Sequence, residues 1–427
     1  MITDESPLLL SKRFLPLFMT QFFSAFTNNA FKSALFVWFA FGTLNNSTLN
    51  PALLVTLSAG IFMLPFFIFS ATAGQLADKY EKSWLTQKIK QFEIVLLIAS
   101  AIIFHFHHIY GLIIILFFVG VQATFFGPIK YALLPENLQD HELISGNGLI
   151  ETGTFLAILL GTILGGLIIR IPYGISLLSG ILIIISIISW KSSCYIPKSR
   201  IADPSLKIRW RVLTETWKII RFAVENKIVW FSIMSISWFW LIGATFLTQF
   251  PSYTRDIIHG NERIVTLFLT MFSIGICVGS SLCNRLLKGE INSRLIPWGC
   301  MGMSLFILDF YLGGLSFHST QPEQLIGIKL FLNSYQGWRI IFDLFMLAVF
   351  AGIYIVPLYT MMQHFSNKHQ LGRIVAVNNI MNAFFMVMAN VISFGLLYFG
   401  CNINQIFLIL AIANVGVFFL VFRFIRK

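Results

Sequence analysis

The chain has 427 residues, of which 57% are hydrophobic, 15% aromatic and only 11% charged. Soluble domains carry roughly a quarter charged residues, so this composition excludes an ordinary soluble protein, a disordered chain and a disulfide scaffold. A net charge of +12 invites a nucleic-acid reading, but its meaning depends on where the basic residues sit.

A membrane span needs about 20 apolar residues to cross about 30 Å of hydrocarbon. Apolar runs broken by polar turns predict spans at 14–41, 52–74, 88–106, 110–129, 148–170 and 173–190, then at 228–250, 263–284, 294–317, 338–364, 373–399 and 402–424. The predicted fold class is an all-α membrane protein with 12 transmembrane helices. Its six-helix halves, 1–190 and 228–427, are pseudo-symmetric and joined by a polar, basic cytoplasmic linker, 191–227.

Asp4 and Glu5, then Lys12 and Arg13, precede a first run that is too long for a signal-peptide core, so the first span is expected to be retained. Of the 30 Lys and Arg residues, 24 fall in segments on the same side as the N-terminus. The other side holds Arg170, Arg255, Arg263, Lys329 and Arg339, and Lys32 lies within the first span. The positive-inside rule therefore places both termini in the cytoplasm. The basic charge marks topology and meets anionic membrane lipids, at about 1 kcal/mol per residue near the surface, rather than nucleic acid. Cys194, Cys277, Cys283, Cys300 and Cys401 show no paired or metal-ligand spacing and read as small core hydrophobes; no cofactor is expected.

The two halves carry weak parallel echoes. Gly74-Gln75-Leu76-Ala77-Asp78-Lys79 after span 2 matches Ser280-Ser281-Leu282-Cys283-Asn284-Arg285 after span 8 in small, Leu, acid or amide, and basic positions. Asn147-Gly148-Leu149-Ile150-Glu151 likewise aligns with Asn378-Asn379-Ile380-Met381-Asn382. Repeats of six spans place a substrate site at the interface between the halves.

The Gly74–Lys79 turn resembles the signature loop of the major facilitator superfamily, with Glu81 where that superfamily usually has glycine. Three further segments resemble the bacterial lysophospholipid transporter family: Gln21–Ala30, Gly127-Pro128-Ile129-Lys130-Tyr131, and Asn147–Glu151. Trp238-Phe239-Trp240, Thr248-Gln249-Phe250-Pro251 and Ile355–Tyr359 are similar to the transporter domain fused to a phospholipid acyltransferase and acyl-carrier-protein ligase. The resemblance implies inward movement of lysophospholipids, chiefly lysophosphatidylethanolamine, across the bacterial inner membrane for reacylation. Any acyltransferase or acyl-carrier-protein ligase partner would then be a separate polypeptide.

Ionisable groups inside a span cost at least about 2.5–3.5 kcal/mol on insertion scales, which makes each a functional candidate. Gln21, Asn28 and Lys32 share one face of span 1, with Asn29 beside them. Lys32 either offers a point charge to a lipid phosphate, pairs with an acid on a neighbouring helix, or snorkels to an interface. The lysophospholipid family commonly has Asp where this chain has Asn28, which puts ion coupling through that position in doubt.

Lys130 and Glu151, both at positions that carry functional weight in the family, form either a gate or a fixed packing pair. Asp78, with Lys79 and Lys82, is expected to accept from the positive end of a helix in the second half, or else to sit in a solvated turn. Thr245, Thr248, Gln249, Asp343, Tyr354, Tyr359, Asn378, Asn379, Asn382 and Asn390 are expected to line the cavity from the second half. Arg339 and Asp343, four residues apart, are expected to pair, leaving Asp309 without an evident partner. His105, His107 and His108 are expected at a hydrated outer turn.

An enzyme is the rival class. None of the eight His residues has Asp five positions on; His318 has Glu323 there, in an outer loop. The chain also has no phosphate-binding loop of the G-x-x-x-x-G-K-[ST] type. Export of drugs or other amphiphiles by a related facilitator, and a transport-dead scaffold for an acyltransferase, are the remaining alternatives.

Overall fold

The computed structural model describes residues 7–41, 51–209, 212–317 and 325–426. Asp4, Glu5, Arg211, His318, Glu323 and Lys427, which enter the sequence reading, lie outside the described residues. The first six α-helices are α1 (Leu15–Phe41), α2 (Pro51–Lys79), α3 (Lys82–His105), α4 (Ile109–Asn137), α5 (Leu143–Ile168) and α6 (Gly174–Ser193). They are followed by α7 (Val212–Glu225), α8 (Lys227–Asp256), α9 (Glu262–Leu287), α10 (Leu295–Ser316), α11 (Ile328–Leu332), α12 (Tyr335–His364), α13 (Leu371–Tyr398) and α14 (Ile403–Ile425).

Every expected span coincides with one long helix, and ten of these are apolar enough along their length to cross a membrane by composition alone. The two that fall short are α1 and α3. In α1 the apolar run is diluted by Gln21, Thr27, Asn28, Asn29 and Lys32, and α3 carries Lys82, Lys88, Lys90 and Glu93. Span 3 therefore begins at Lys82, a turn and a half before the expected start at 88.

Local chemistry sets several boundaries. The Glu81 carboxylate caps α3 by accepting from the Ser83 and Trp84 N–H groups. His108 caps α4 by accepting from the Gly111 N–H at 3.0 Å, after a turn in which His107 takes φ 53°. Asn402 and Gln405 form a reciprocal capping box at α14.

The described chain forms two compact units. One comprises Met1–Gly146, Leu156–Trp230 and Met362–Ala383, and the other Asn147–Phe155, Phe231–Met361 and Phe384–Lys427. In the first, α2 packs along α4, α3 packs on α4 and α6, and α1 packs on α6. Its core is built from Phe31, Leu35, Phe39, Leu97, Leu112 and Leu116, all buried. In the second, α10 packs along α14, and Phe246, Phe310 and Phe407 form a ring cluster with centroids 4.6–5.6 Å apart.

Gly161 and Gly165, one turn apart, bring α5 against α1. A Cβ at Gly161 would lie 2.5 Å from the Phe26 carbonyl oxygen, so only glycine permits this approach. Cys283 and Cys300 are buried as expected of small hydrophobes, whereas Cys194 is exposed just past the end of α6, where no neighbouring helix covers it. Replacing Gly161 by Leu should overpack α1 against α5 and cost about 1–3 kcal/mol. Thermal unfolding in detergent checks this, and a melting temperature equal to that of the wild type would refute it.

Candidate functional site: polar groups within the helices

The largest buried polar group of the first unit was not singled out from the sequence. Glu93, on α3, accepts from Thr27 Oγ1 at 2.8 Å and Ser24 Oγ at 3.1 Å, both on α1. It also accepts from Lys90 Nζ at 2.8 Å and from Gln122 Nε2 of α4 at 2.7 Å. Lys90 donates to Ser24 Oγ as well, and its ammonium stands 4.0 Å from the centroid of the Phe126 ring. Lys90 was expected among cytoplasmic charges; it is fully buried because α3 starts a turn and a half earlier and turns this face inward.

That face shows how α3 can be membrane-embedded while carrying charge. Lys90, Glu93, Leu97 and Ser100 are buried, whereas Phe92, Val95, Ile98 and Ile102 are exposed. Its polar stripe points in and its apolar stripe out, the reverse of a surface helix in a soluble protein. A carboxylate within a predicted span, three residues after a lysine, was the signal available in the sequence.

The span 1 candidates connect to this group through one contact. Asn28 Nδ2 donates to Gln122 Oε1 at 3.5 Å, and Gln122 in turn donates to Glu93. Gln21 is buried, and Asn29 turns back to donate to the Ala25 carbonyl at 2.8 Å. Lys32 is half-buried, with its ammonium 5.1 Å from the Phe62 ring centroid, and among the described residues no carboxylate lies within 4.0 Å of it.

Asp78 lies on α2 sixteen residues beyond Phe62, about 24 Å along the helix, so the structure does not bring it to the span 1 set. It is fully buried and accepts from the Gly372 N–H at 2.8 Å, from the Arg373 N–H at 3.3 Å and from Arg373 Nε at 2.8 Å. These donors are the first residues of α13, where unpaired N–H groups and the helix dipole favour an anion. The approach requires Gly74, whose Cβ would lie 2.7 Å from Ala376 Cβ. Lys79 is half-buried, 5.8 Å from the Tyr80 ring centroid. Lys82 turns away from Asp78 to pair with Glu136 at 2.7 Å.

Part of the 191–227 stretch is bound to this turn. Asp203 N–H donates to the Asp78 carbonyl at 2.9 Å, and its carboxylate lies 3.6 Å from Arg373. Ser199 donates to Glu81 through N–H and Oγ, at 2.8 and 3.0 Å. Burial raises the Glu81 pKa, but these donors and those of Ser83 and Trp84 outweigh it and hold the carboxylate below its ordinary range. Glu81, where glycine is usual in the superfamily, thus caps α3 and fastens the linker. The linker continues into α7, which packs against α2.

Lys130, on α4, places its ammonium 4.4 Å from the Tyr131 ring centroid, and Glu151 is fully buried on α5. Asn378 and Asn382, on α13, are buried. Thr245 and Thr248 bond back to carbonyls of α8, and the Tyr359 hydroxyl accepts from Trp240 Nε1 at 3.3 Å.

One expected pairing is corrected. Arg339 forms its ion pair with Asp309 of α10, through both Nε and a terminal nitrogen, rather than with Asp343. Four-residue spacing makes a pair available on one helix, but the neighbouring helix presents Asp309 in the plane of the guanidinium, where two parallel bonds form.

These features define a multi-pass helical membrane protein with charged groups organised inside its helices. A family model for the Major Facilitator Superfamily matches residues 17–390, and the chain belongs to that superfamily.

Among curated relatives, a lysophospholipid transporter LplT of Escherichia fergusonii is 27% identical over 379 residues, covering 87% of this chain and 85% of the relative. The proteins of the same name from Klebsiella pneumoniae subsp. pneumoniae and Yersinia enterocolitica are 26% and 25% identical, covering 88% and 87% of this chain and 86% and 84% of theirs. The fold is similar to that of the human organic anion transporter MFSD10, with TM-score 0.74 and 11% identity over 96% of this chain and 99% of that one. It is also similar to a bacterial homologue of the iron transporter ferroportin in its outward-facing state, with TM-score 0.71 and 13% identity over 98% and 100%.

Glu93→Gln should leave Lys90 buried without a counter-charge and lower stability by about 3–5 kcal/mol, whereas the double variant Lys90→Met with Glu93→Met removes both charges and should cost less. Melting curves of the two purified variants in detergent separate these outcomes. A Glu93→Gln protein as stable as the wild type would refute the pairing.

Proposed function

We propose that this chain is a secondary transporter that moves lysophospholipids, lysophosphatidylethanolamine-like, across the bacterial inner membrane to the cytoplasmic leaflet by alternating access. The observation that carries the reading is Lys32. A cation in a membrane helix, with no carboxylate within reach among the described residues and an aromatic ring beneath it, suits a ligand that is anionic at one end and apolar at the other. The amides of Gln21, Asn28, Asn29, Asn378 and Asn382 complete the proposed substrate contacts. The named lysophospholipid transporters that the chain matches over most of their length support the same substrate class.

In this reading residues 1–190 and 228–427 are the two six-helix halves, 191–227 is the cytoplasmic linker, and both termini face the cytoplasm. Asp78 and Lys79, with Lys130 and Glu151, are the gating groups. Opening towards the cytoplasm would separate Asp78 from the start of α13, where backbone N–H groups and the Arg373 side chain hold it. Reacylation of the delivered lipid falls to a separate acyltransferase or acyl-carrier-protein ligase.

Uptake of labelled lysophosphatidylethanolamine by proteoliposomes or spheroplasts tests the reading. The wild type should exceed empty membranes, and Lys32→Ala should lower uptake at subsaturating substrate by about 10- to 100-fold, the loss of one charge-assisted contact of about 1.5–3 kcal/mol. If an unrelated amphiphile moves while the lysolipid does not exceed empty membranes, the chain is instead an exporter of other amphiphiles. Copurification with an acyltransferase without any uptake would favour a scaffold.

A further inference from the structure

Three buried charges of the described helices each face an opposite charge. Lys90 faces Glu93, Lys82 faces Glu136, and Asp78 faces Arg373. In the second unit, by contrast, the single guanidinium of Arg339 stands with two carboxylates, Asp309 and Asp343. Arg339 is committed to Asp309 by two bonds. Asp343 is fully buried, and neither of its carboxyl oxygens has a hydrogen-bond partner among the described residues. It lies against α10 at Gly313, one turn from Asp309, with Oδ2 3.8 Å from where a Cβ would stand.

A buried carboxylate with no donor of its own, near a second carboxylate, is relieved by taking up a proton. Among the described residues no Lys, Arg or His nitrogen lies within 4.0 Å of the Asp343 carboxyl. From α8 the facing titratable group is Tyr253, fully buried, its hydroxyl without a hydrogen-bond partner among the described residues and close enough to Asp343 to feel its charge. From α10 it is Asp309. On α12 itself they are Arg339 and, beyond it, Tyr335, whereas α14 brings the neutral amide of Asn404 beside Tyr253 at Gly314. Phe310 stacks on Tyr253 at 4.7 Å and closes the apolar wall.

We propose that Asp343 is a proton-binding site, its carboxyl held neutral beside the Asp309–Arg339 pair, and that this proton is exchanged during transport. The Asp309–Arg339 pair is partly exposed, with 36% and 29% of its side chains accessible, and so offers the route by which a proton reaches buried Asp343. Deprotonation leaves two anions on one guanidinium and an unpartnered tyrosine hydroxyl turned towards them. Proton loss therefore favours rearrangement of α8, α10 and α12 about this point. The coupling half of the proposal rests on the transport reading above; the proton site does not.

Infrared spectra of the full chain in detergent, titrated with pH, test the site without transport. The wild type should show the carbonyl stretch of a protonated carboxyl at neutral pH, and Asp343→Asn should lose the intensity of one such group. Asp309→Asn should lose it too, because Asp343 then becomes the sole anion facing Arg339 and ionises. Full intensity in both variants overturns the site, and the second variant decides the matter if the first does not fold.

In proteoliposomes, an outside-acid gradient should speed lysolipid uptake by the wild type, and Asp343→Asn should show the same rate with and without the gradient. Equal stimulation of both overturns the coupling. A band that follows Asp343 in a protein that moves no lysolipid supports the proton site and overturns the substrate reading alone.

Discussion

A carboxylate withdrawn from water has to be met by donors, and Glu93 is met by four groups on three helices. The architecture of the first unit follows from that requirement. It makes α3 turn its polar stripe inward and its apolar stripe outward, and it draws Ser24 and Thr27 of α1 and Gln122 of α4 to one point. Each of these side chains would be a cost in hydrocarbon by itself, and together they satisfy one another. Gln122 is held by Glu93, and Asn28 by Gln122, so the Asn28 amide of α1 is tied through α4 to a carboxylate on α3.

The same rule operates with a different donor at the end of α2. There the counter-charge of Asp78 is the beginning of a helix together with Arg373, and backbone N–H groups supply two of the three bonds. A contact of that kind is directional and reversible, as a moving part requires, whereas the Lys90–Glu93 group is enclosed on every side. The linker segment around Ser199 and Asp203 is attached to the same turn, so movement of α13 away from Asp78 would also disturb the linker. The Asp309–Arg339–Asp343 cluster departs from the pattern because its charges do not balance. That imbalance distinguishes it from the structural pairs.

Hydropathy and charge placement made the helical membrane fold legible, down to one long helix for each expected span. The internal echoes pointed to the turns after spans 2 and 8. The individual partners were far less legible. The four-residue spacing of Arg339 and Asp343 suggested a pair, yet Asp309, thirty residues earlier, takes the guanidinium. Lys90 was grouped with cytoplasmic charges because it lies near a run of lysines, and Glu93 passed without notice inside an apolar stretch. Glu81 read only as a departure from a motif, with no sign that Ser199 would be its partner.

Transfer of a helix into hydrocarbon is close to a sum over its residues, so number, length and placement of the helices could be read by adding along the chain. The sequence by itself therefore determined a polytopic helical protein with charged residues too costly to be incidental. Pairing depends on distance and orientation between helices remote in the chain, as with Asp78 and Arg373, 295 residues apart. No sum along the sequence contains that information. Only the tertiary structure decided which charges compensate one another, which helix end receives Asp78, and that Asp343 is left sharing a single cation with a second acid.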